Sequence, residues 1–207
     1  MTSRRITALP HLNGNPLAAI DVETTGRIGG YHEIIQVAIV PLSMDLEIAK
    51  YVRPFYQNMK PQYPDRVEPR AVGMRNVNVD DLILNAPEPE RVLDFLLEWY
   101  SRLPLGHSRK LTPLAHNWAF DSSFLIPWLG PDLYTSLFYP IPRDTMNFAS
   151  SLNDRAVMAG YAPPFKSVNL GALCRQFGVV NDNEHNALAD SIATAKLYQA
   201  MMRACLS

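Results

Sequence analysis

The stretch that most constrains this chain is Asp21-Val22-Glu23-Thr24-Thr25-Gly26, reached directly from the apolar run Leu17-Ala18-Ala19-Ile20. Small and branched apolar residues closed by a glycine read as a buried strand entering a turn. Side chains alternate along a strand, so Asp21 and Glu23 share one face. Two carboxylates brought together at a buried strand end repel each other and lose hydration; they stay ionised only with a cation between them. Ligands that are all oxygen favour a hard divalent ion, Mg²⁺ or Mn²⁺. The plain alternative is an aspartate that ends a strand, with Glu23 solvated beyond it. The pair therefore needs partners elsewhere in the chain.

Composition sets the frame for those partners. At 207 residues the chain suits one domain with a full core; residues 1–15 read as a loose N-terminal arm and 16–207 as a single domain. Cys174 and Cys205 read as small core fillers in a reducing compartment. No long apolar run follows the start, so neither signal peptide nor membrane anchor is expected and the location reads as cytoplasmic. The net charge of −1 excludes a protein that wraps long duplex DNA through a basic excess. Any nucleic-acid contact is then short and local.

The order of elements follows from periodicity and turn residues. A strand over 16–23 is followed by β-branched runs at Ile34–Val40 and Ile48–Val52, and the short connections predict an antiparallel meander. Six prolines from Pro54 to Pro89 make the next region irregular, with short helices expected at 68–72 and 80–84. Val92, Phe95, Leu96, Trp99 and Leu103 recur at helical spacing. A strand over 110–116 leads into a helix that Pro127 and Gly130 are expected to cut short. A fifth strand near 142–145 and a helix over 146–159 come next. Asn169 and Gly178 then bracket a short helix, and a last helix covers 187–205. Early strands followed by strands alternating with helices predict an α/β domain, a mixed sheet covered on both faces.

Three further positions offer partners. In the last helix the stripe Ala189, Ile192, Ala193, Leu197, Ala200, Met201 and Ala204 carries Asp190 on its core-facing side. That carboxylate is either a first-turn charge favoured by the helix dipole or a metal ligand. His185 lies just before, in the loop Asn181-Asp182-Asn183-Glu184, where a histidine is commonly just solvated. Asp121 follows His116-Asn117 and Phe120; Asn117 or Asp121 could simply cap the following helix, and His116 could be a hydrogen-bonded strand end.

Together, Asp21-x-Glu23 with Thr24-Thr25-Gly26, His116-Asn117-x-x-Phe120-Asp121 and His185-x-Ala187-x-x-Asp190 resemble the three motifs of the DEDDh 3′→5′ exonucleases. That family includes the proofreading subunit of bacterial replicative polymerase, ribonuclease T and oligoribonuclease. Ile34-Ile35-Gln36-Val37-Ala38, Arg70-Ala71-Val72-Gly73-Met74, Asp144-Thr145 and Leu170-Gly171-Ala172-Leu173-Cys174 resemble the family's connecting segments, so the likeness runs from Leu17 to Met201. Asn186 stands where the tyrosine branch of the superfamily has its Tyr, which favours the histidine branch. Thr24 stands where oligoribonuclease has Met, which disfavours that subfamily.

The resemblance implies a ribonuclease H-like fold, a five-stranded mixed sheet with strand two antiparallel and helices on both faces. It implies two divalent ions, Mg²⁺ or Mn²⁺, roughly 3.5–4 Å apart. Asp21, Glu23 and Asp190 would hold the first, Asp21 would also reach the second, and Asp121 would act nearby through water. His185 would take a proton from the attacking water, releasing nucleoside 5′-monophosphates from the 3′ end. Thr24 and Thr25 match positions that contact the terminal 3′-hydroxyl, and Asn117 and Phe120 are candidates to flank the end nucleotides. As alternatives, the threonines only shape the turn and Phe120 is plain core. The expected substrate is the 3′ end of nucleic acid, DNA slightly over RNA, with a homodimer or a polymerase as further candidate partners and no membrane. The competing reading is a nucleic-acid end-binding or polymerase-accessory module on the same fold. A calcium-stabilised structural domain is disfavoured, because the acids are dispersed from Asp21 to Asp190 and do not form one ligand loop.

Overall fold

A computed structural model describes residues 15–50, 52–69, 78–105 and 110–205. Strands β1 (Leu17–Thr24), β2 (Ile34–Pro41), β3 (Phe55–Asn58), β4 (Thr112–Ala115) and β5 (Arg143–Asp144) form one sheet in the order β3-β2-β1-β4-β5. Among them β2 alone runs against the others, antiparallel to β1 and β3, while β4 and β5 add in parallel. This is the ribonuclease H-like sheet expected from the motifs. The helices are α1 (Val79–Asn85), α2 (Pro89–Ser101), α3 (Trp118–Leu129), α4 (Pro131–Leu137), α5 (Thr145–Met158), α6 (Leu170–Phe177) and α7 (Ala187–Ala204).

Alternation along β1 divides the core. Ala18, Ile20 and Val22 pack with Val92 and Leu96 of α2 and Phe124, Leu125 and Leu129 of α3. Leu17 and Ala19 turn the other way, onto Ala195 and Tyr198 of α7. A third cluster joins Ala149 of α5 and Leu173 of α6 to Ala193, Leu197 and Met201 of α7. The last helix is therefore apolar on two sides. The single stripe expected from Ala189 to Ala204 describes one of them: Ala195 and Tyr198 are also buried, and Ala204 is exposed.

Several expectations need correction. The third strand is not Ile48–Val52: Ile48 makes only an isolated bridge to Leu42 and packs into the core beneath α7. The pairing is made by Phe55–Asn58, with Phe55 opposite Ile39 and Asn58 opposite Gln36, and Pro54, which has no amide to donate, sits just outside it. Pro127 does not cut α3 short; the helix continues to Leu129 and ends at Gly130 (φ 76). Pro127 cannot donate to the Ser123 carbonyl one turn back, and that carbonyl lies against Gly29, where an added Cβ would stand 2.3 Å from it. Cys174 is a buried core filler, but Cys205 is exposed. Asn15 is fully buried; the rest of the arm expected over 1–15, and residues 70–72 of the helix expected at 68–72, lie outside the described residues. No helix among the described residues is long and apolar enough to cross a membrane.

Neither Asn117 nor Asp121 caps α3. Asn117 takes a left-handed backbone (φ 75) and its side chain makes no cap bond. The Asn117 and Trp118 amides donate instead to the Asp144 carboxylate (3.3 and 2.8 Å), which also accepts from Met146 and Asn147 at the start of α5. One carboxylate thus closes two helix N-termini at the end of the sheet. Asp144→Ala leaves those amides without their acceptor and is expected to lower stability by about 1–3 kcal/mol in urea denaturation, with a loss of activity because α3 carries Asp121.

Candidate active site

The backbone of β1 explains where Asp121 goes. Its even-numbered peptide groups face β4, as shown by the Thr112 amide donating to the Pro16 carbonyl, whereas Leu17 accepts from Leu42 on the β2 side. β4 pairs with β1 only from Leu17 to Ala19, so the Val22 amide extends past the end of β4. Asp121 fills the gap: Val22 N–H donates to its Oδ1 at 3.1 Å. This seats a carboxylate that is 2% exposed against the backbone between Asp21 and Glu23. Burial pushes its pKa well above the ordinary carboxylate value; the Val22 amide opposes that shift, and the charges of Asp144 and Glu23 add to it.

Asp190 arrives from the other face. Glu23 stands opposite Gln36 on β2, and the Ala187 amide at the start of α7 donates to Gln36 Oε1 (3.3 Å). Asn186 caps the helix by accepting from the Ala189 amide and also donates to the Tyr56 hydroxyl (2.9 Å) on β3. These bonds dock α7 beside Glu23. One carboxylate oxygen each from Glu23 and Asp190 and a His185 ring nitrogen all lie within 4.8 Å of one another. His185 is the least buried of the three and has a left-handed backbone (φ 66). That turn aims its own amide at Asp190 Oδ2 (3.1 Å), and Asn181 Nδ2 donates to Oδ1. Burial raises the Asp190 pKa, against the Asn181 and His185 bonds that favour the charged form.

The other expected residues are placed as follows. Asp21 is half-buried on the Glu23 side of β1, and it and Asp121 stand outside the 4.8 Å cluster. Thr24 and Thr25 are fully buried, with their hydroxyls engaged inside the turn: Thr24 Oγ1 donates to the Gly26 carbonyl (2.6 Å), and Thr25 Oγ1 accepts from the Glu33 amide (2.9 Å). Asn117 is half-buried, and the half-buried Phe120 ring lies 5.0 Å from Phe124. His116 is held at the strand end by Thr145 Oγ1 (2.8 Å), and burial lowers its pKa; it is the hydrogen-bonded strand-end histidine.

Several residues that shape the site escaped the sequence reading. His32 is buried under the turn, its Nδ1 accepting from the Ile28 amide (3.0 Å) and its Nε2 facing Glu68 (3.4 Å). A Cβ on Gly26 would sit 2.2 Å from that ring, which explains the glycine. Nothing in the spacing marks His32. Gln36 was legible only as part of a β-branched run, and Asn181 only as one of a string of polar loop residues. Asp144 was visible as a motif match but not as the shared cap.

A model of the RNase T exonuclease family matches residues 18–198. The chain belongs to that exonuclease family. Among curated relatives, a PolC-type DNA polymerase III of Staphylococcus aureus is 26% identical over 188 residues, which are 88% of this chain but 11% of the polymerase. This chain thus spans about a tenth of the curated relatives it matches. Among solved structures, E. coli exonuclease I in complex with an oligonucleotide superposes with TM-score 0.68 at 15% identity, over 91% of this chain and 40% of that one. A 3′-exonuclease that recognises the histone mRNA stem-loop superposes with TM-score 0.66 at 18% identity, over 97% and 68%. These likenesses show the shared fold.

The side chains of this RNase T family member fit hard divalent ions. Glu23, Asp121 and Asp190 are buried carboxylates converging on one strand end, and the hydrogen bonds to Asp121 and Asp190 come from neutral amides. A cation is the partner that lowers the cost of keeping such oxygens charged. A carboxyl with a raised folded-state pKa costs stability as pH climbs from its unfolded value through the folded one. Without added metal, the melting temperature of the wild type should therefore fall relative to Asp121→Asn as pH rises above the ordinary carboxylate range. Mg²⁺ or Mn²⁺ should narrow that gap. A gap independent of both pH and metal would contradict this electrostatic account.

Proposed function

We propose that this domain is a metal-dependent 3′→5′ exonuclease that releases nucleoside 5′-monophosphates, acting on single-stranded or frayed DNA ends in preference to RNA. The observation that carries it is the convergence of Glu23, Asp190 and His185 within 4.8 Å, beside an Asp121 carboxylate seated on the Val22 amide, in a member of an exonuclease family.

Asp21, Glu23 and Asp190 are assigned as ligands of one divalent ion, Asp21 also of a second, and Asp121 as a partner acting through water. When bound, such ions supply a nucleophilic water at neutral pH and charge stabilisation for the leaving 3′ oxygen. His185, the most open member of the cluster, accepts the proton of the attacking water. Its backbone amide on Asp190 fixes the imidazole's origin, so base and ligand are positioned together. Thr24 and Thr25 shape the wall that meets the terminal sugar. Phe120 and Asn117, at the start of α3, flank the end nucleotides.

The DNA preference is supported by the kinship with a DNA polymerase; the fold shared with a histone mRNA exonuclease makes RNA the necessary comparison. The same kinship supports association with a polymerase, and a second copy of the chain is the other assigned partner. Co-purification with the host's replicative polymerase and the mass of the free protein in solution test these two assignments.

The deciding experiment uses matched 3′- and 5′-labelled DNA and RNA single strands with Mg²⁺, with Mn²⁺ and with chelator. Stepwise shortening from the 3′ end, faster on DNA, is expected with either metal and not with chelator. Asp21→Ala is expected to abolish release, and His185→Ala to lower kcat by about 10²–10⁴-fold. Undiminished turnover in Asp21→Ala would overturn the assignment. Binding of strands without shortening would favour an end-binding module.

A further inference from the structure

We propose that Tyr31, Tyr63 and Arg66 form a stacking site for nucleobases of a single strand, a few nucleotides upstream of its 3′ end. The proposal rests on the exonuclease reading above and adds a contact to it.

The Arg66 guanidinium lies 3.9 Å from the Tyr63 ring centre and 4.9 Å from that of Tyr31, and donates to the Tyr31 carbonyl at 3.4 Å. Even so, Tyr31 is 51% and Tyr63 49% exposed. The group is anchored at its base. The Glu33 carboxylate accepts from the Gln62 and Tyr63 amides (2.9 and 2.8 Å), and the Tyr31 ring stands edge-on to buried His32 at 4.9 Å. Two half-exposed rings fixed around a planar cation lose little conformational freedom when a base stacks on them. Each base has a π-face, so this contact tolerates any sequence, and the arginine adds a cation–π contribution.

The group is also in the right place. The Glu68 amide donates to the Thr25 carbonyl at 2.8 Å; Arg66 is two residues before Glu68, Thr25 two after Glu23, and two residues span at most about 7 Å. On the far side of the turn, Gly29 abuts Ser123, two residues after Asp121. A cavity of about 230 Å³ beside the tyrosines is also walled by Phe124, Pro127 and Trp128 of α3, and the Phe120 ring lies tilted against Phe124. An aromatic wall therefore continues from Phe120 outward to Tyr31 and Tyr63. With a net charge of −1 the chain lacks the overall cation excess that grips a long phosphate backbone, and stacking is a contact that can hold a strand upstream of the site without it. Paired bases are already stacked on their neighbours, so the site favours single strands.

The test measures binding of 5′-labelled DNA and RNA strands of about twelve nucleotides by fluorescence anisotropy, in the full chain carrying Asp21→Ala so that the strands stay intact. Adding Tyr31→Ala or Tyr63→Ala is expected to raise Kd at least about fivefold on both sugars, the lower end of single-base stacking losses. The Phe replacements should keep Kd within about twofold. Strands made abasic upstream of the terminal nucleotide should bind the tyrosine protein as weakly as the alanine forms bind the intact strand. Unchanged Kd in alanine variants that melt like their parent would overturn the proposal and leave the patch as a face for another protein. Tyrosine-dependent binding in a chain that shortens no strand would uphold the stacking site while removing the exonuclease reading.

Discussion

The bond between the Val22 amide and Asp121 is the constraint on which the rest of the site depends. It exists because β4 is short: the strand stops pairing at Ala19, and an amide that would otherwise be orphaned inside the protein is satisfied by a carboxylate from the next helix. A buried amide without a partner and a buried carboxylate without one are each costly; here each satisfies the other. The consequence is a carboxyl group, and the charge of its ionised form, seated against the main chain of the strand that carries Asp21 and Glu23. Burial resists that charge, which makes the site a poor place for carboxylates alone and a good one for carboxylates with a cation. Structural economy and a seat suited to a cation thus come from the same missing stretch of strand.

On the opposite face a similar logic brings in Asp190. α7 packs on the sheet through Ala195 and Tyr198 and on α5 and α6 through Leu197 and Met201, so its rotation about its own axis is determined twice over. Its start is then tied to β2 by Gln36 and to β3 by Tyr56. A helix packed on two sides and bonded at its first turn delivers a side chain in that turn to one position only.

Much of this was legible in the sequence. The alternation that puts Asp21 and Glu23 on one face, the bracketing of α6 by Asn169 and Gly178, and the order of the three motifs are all local signals, and they lead to a five-stranded mixed sheet and to the described helices other than α4. What escaped were features decided by distant partners. Asp144 takes over the capping of α3 because β5 delivers it there, and no pattern near Asn117 announces that. Ile48–Val52 has the composition of a strand, yet the edge of β2 is taken by Phe55–Asn58, whose register places Phe55 in the core. Pro127 falls in the last turn of α3, and the Ser123 carbonyl to which it cannot donate lies against Gly29. His32 and Gln36 matter through single hydrogen bonds to backbone amides, which leave no trace in periodicity or spacing.

The length of α7 has a mechanical consequence. Asp190 sits in its first turn and Ala204 at its exposed end, fourteen residues along, or about 20 Å at the rise of an α-helix. Between them run the two packed faces that clamp the rod to the sheet on one side and to its neighbours on the other. The position of Asp190 is therefore held by packing that does not involve the helix's exposed end.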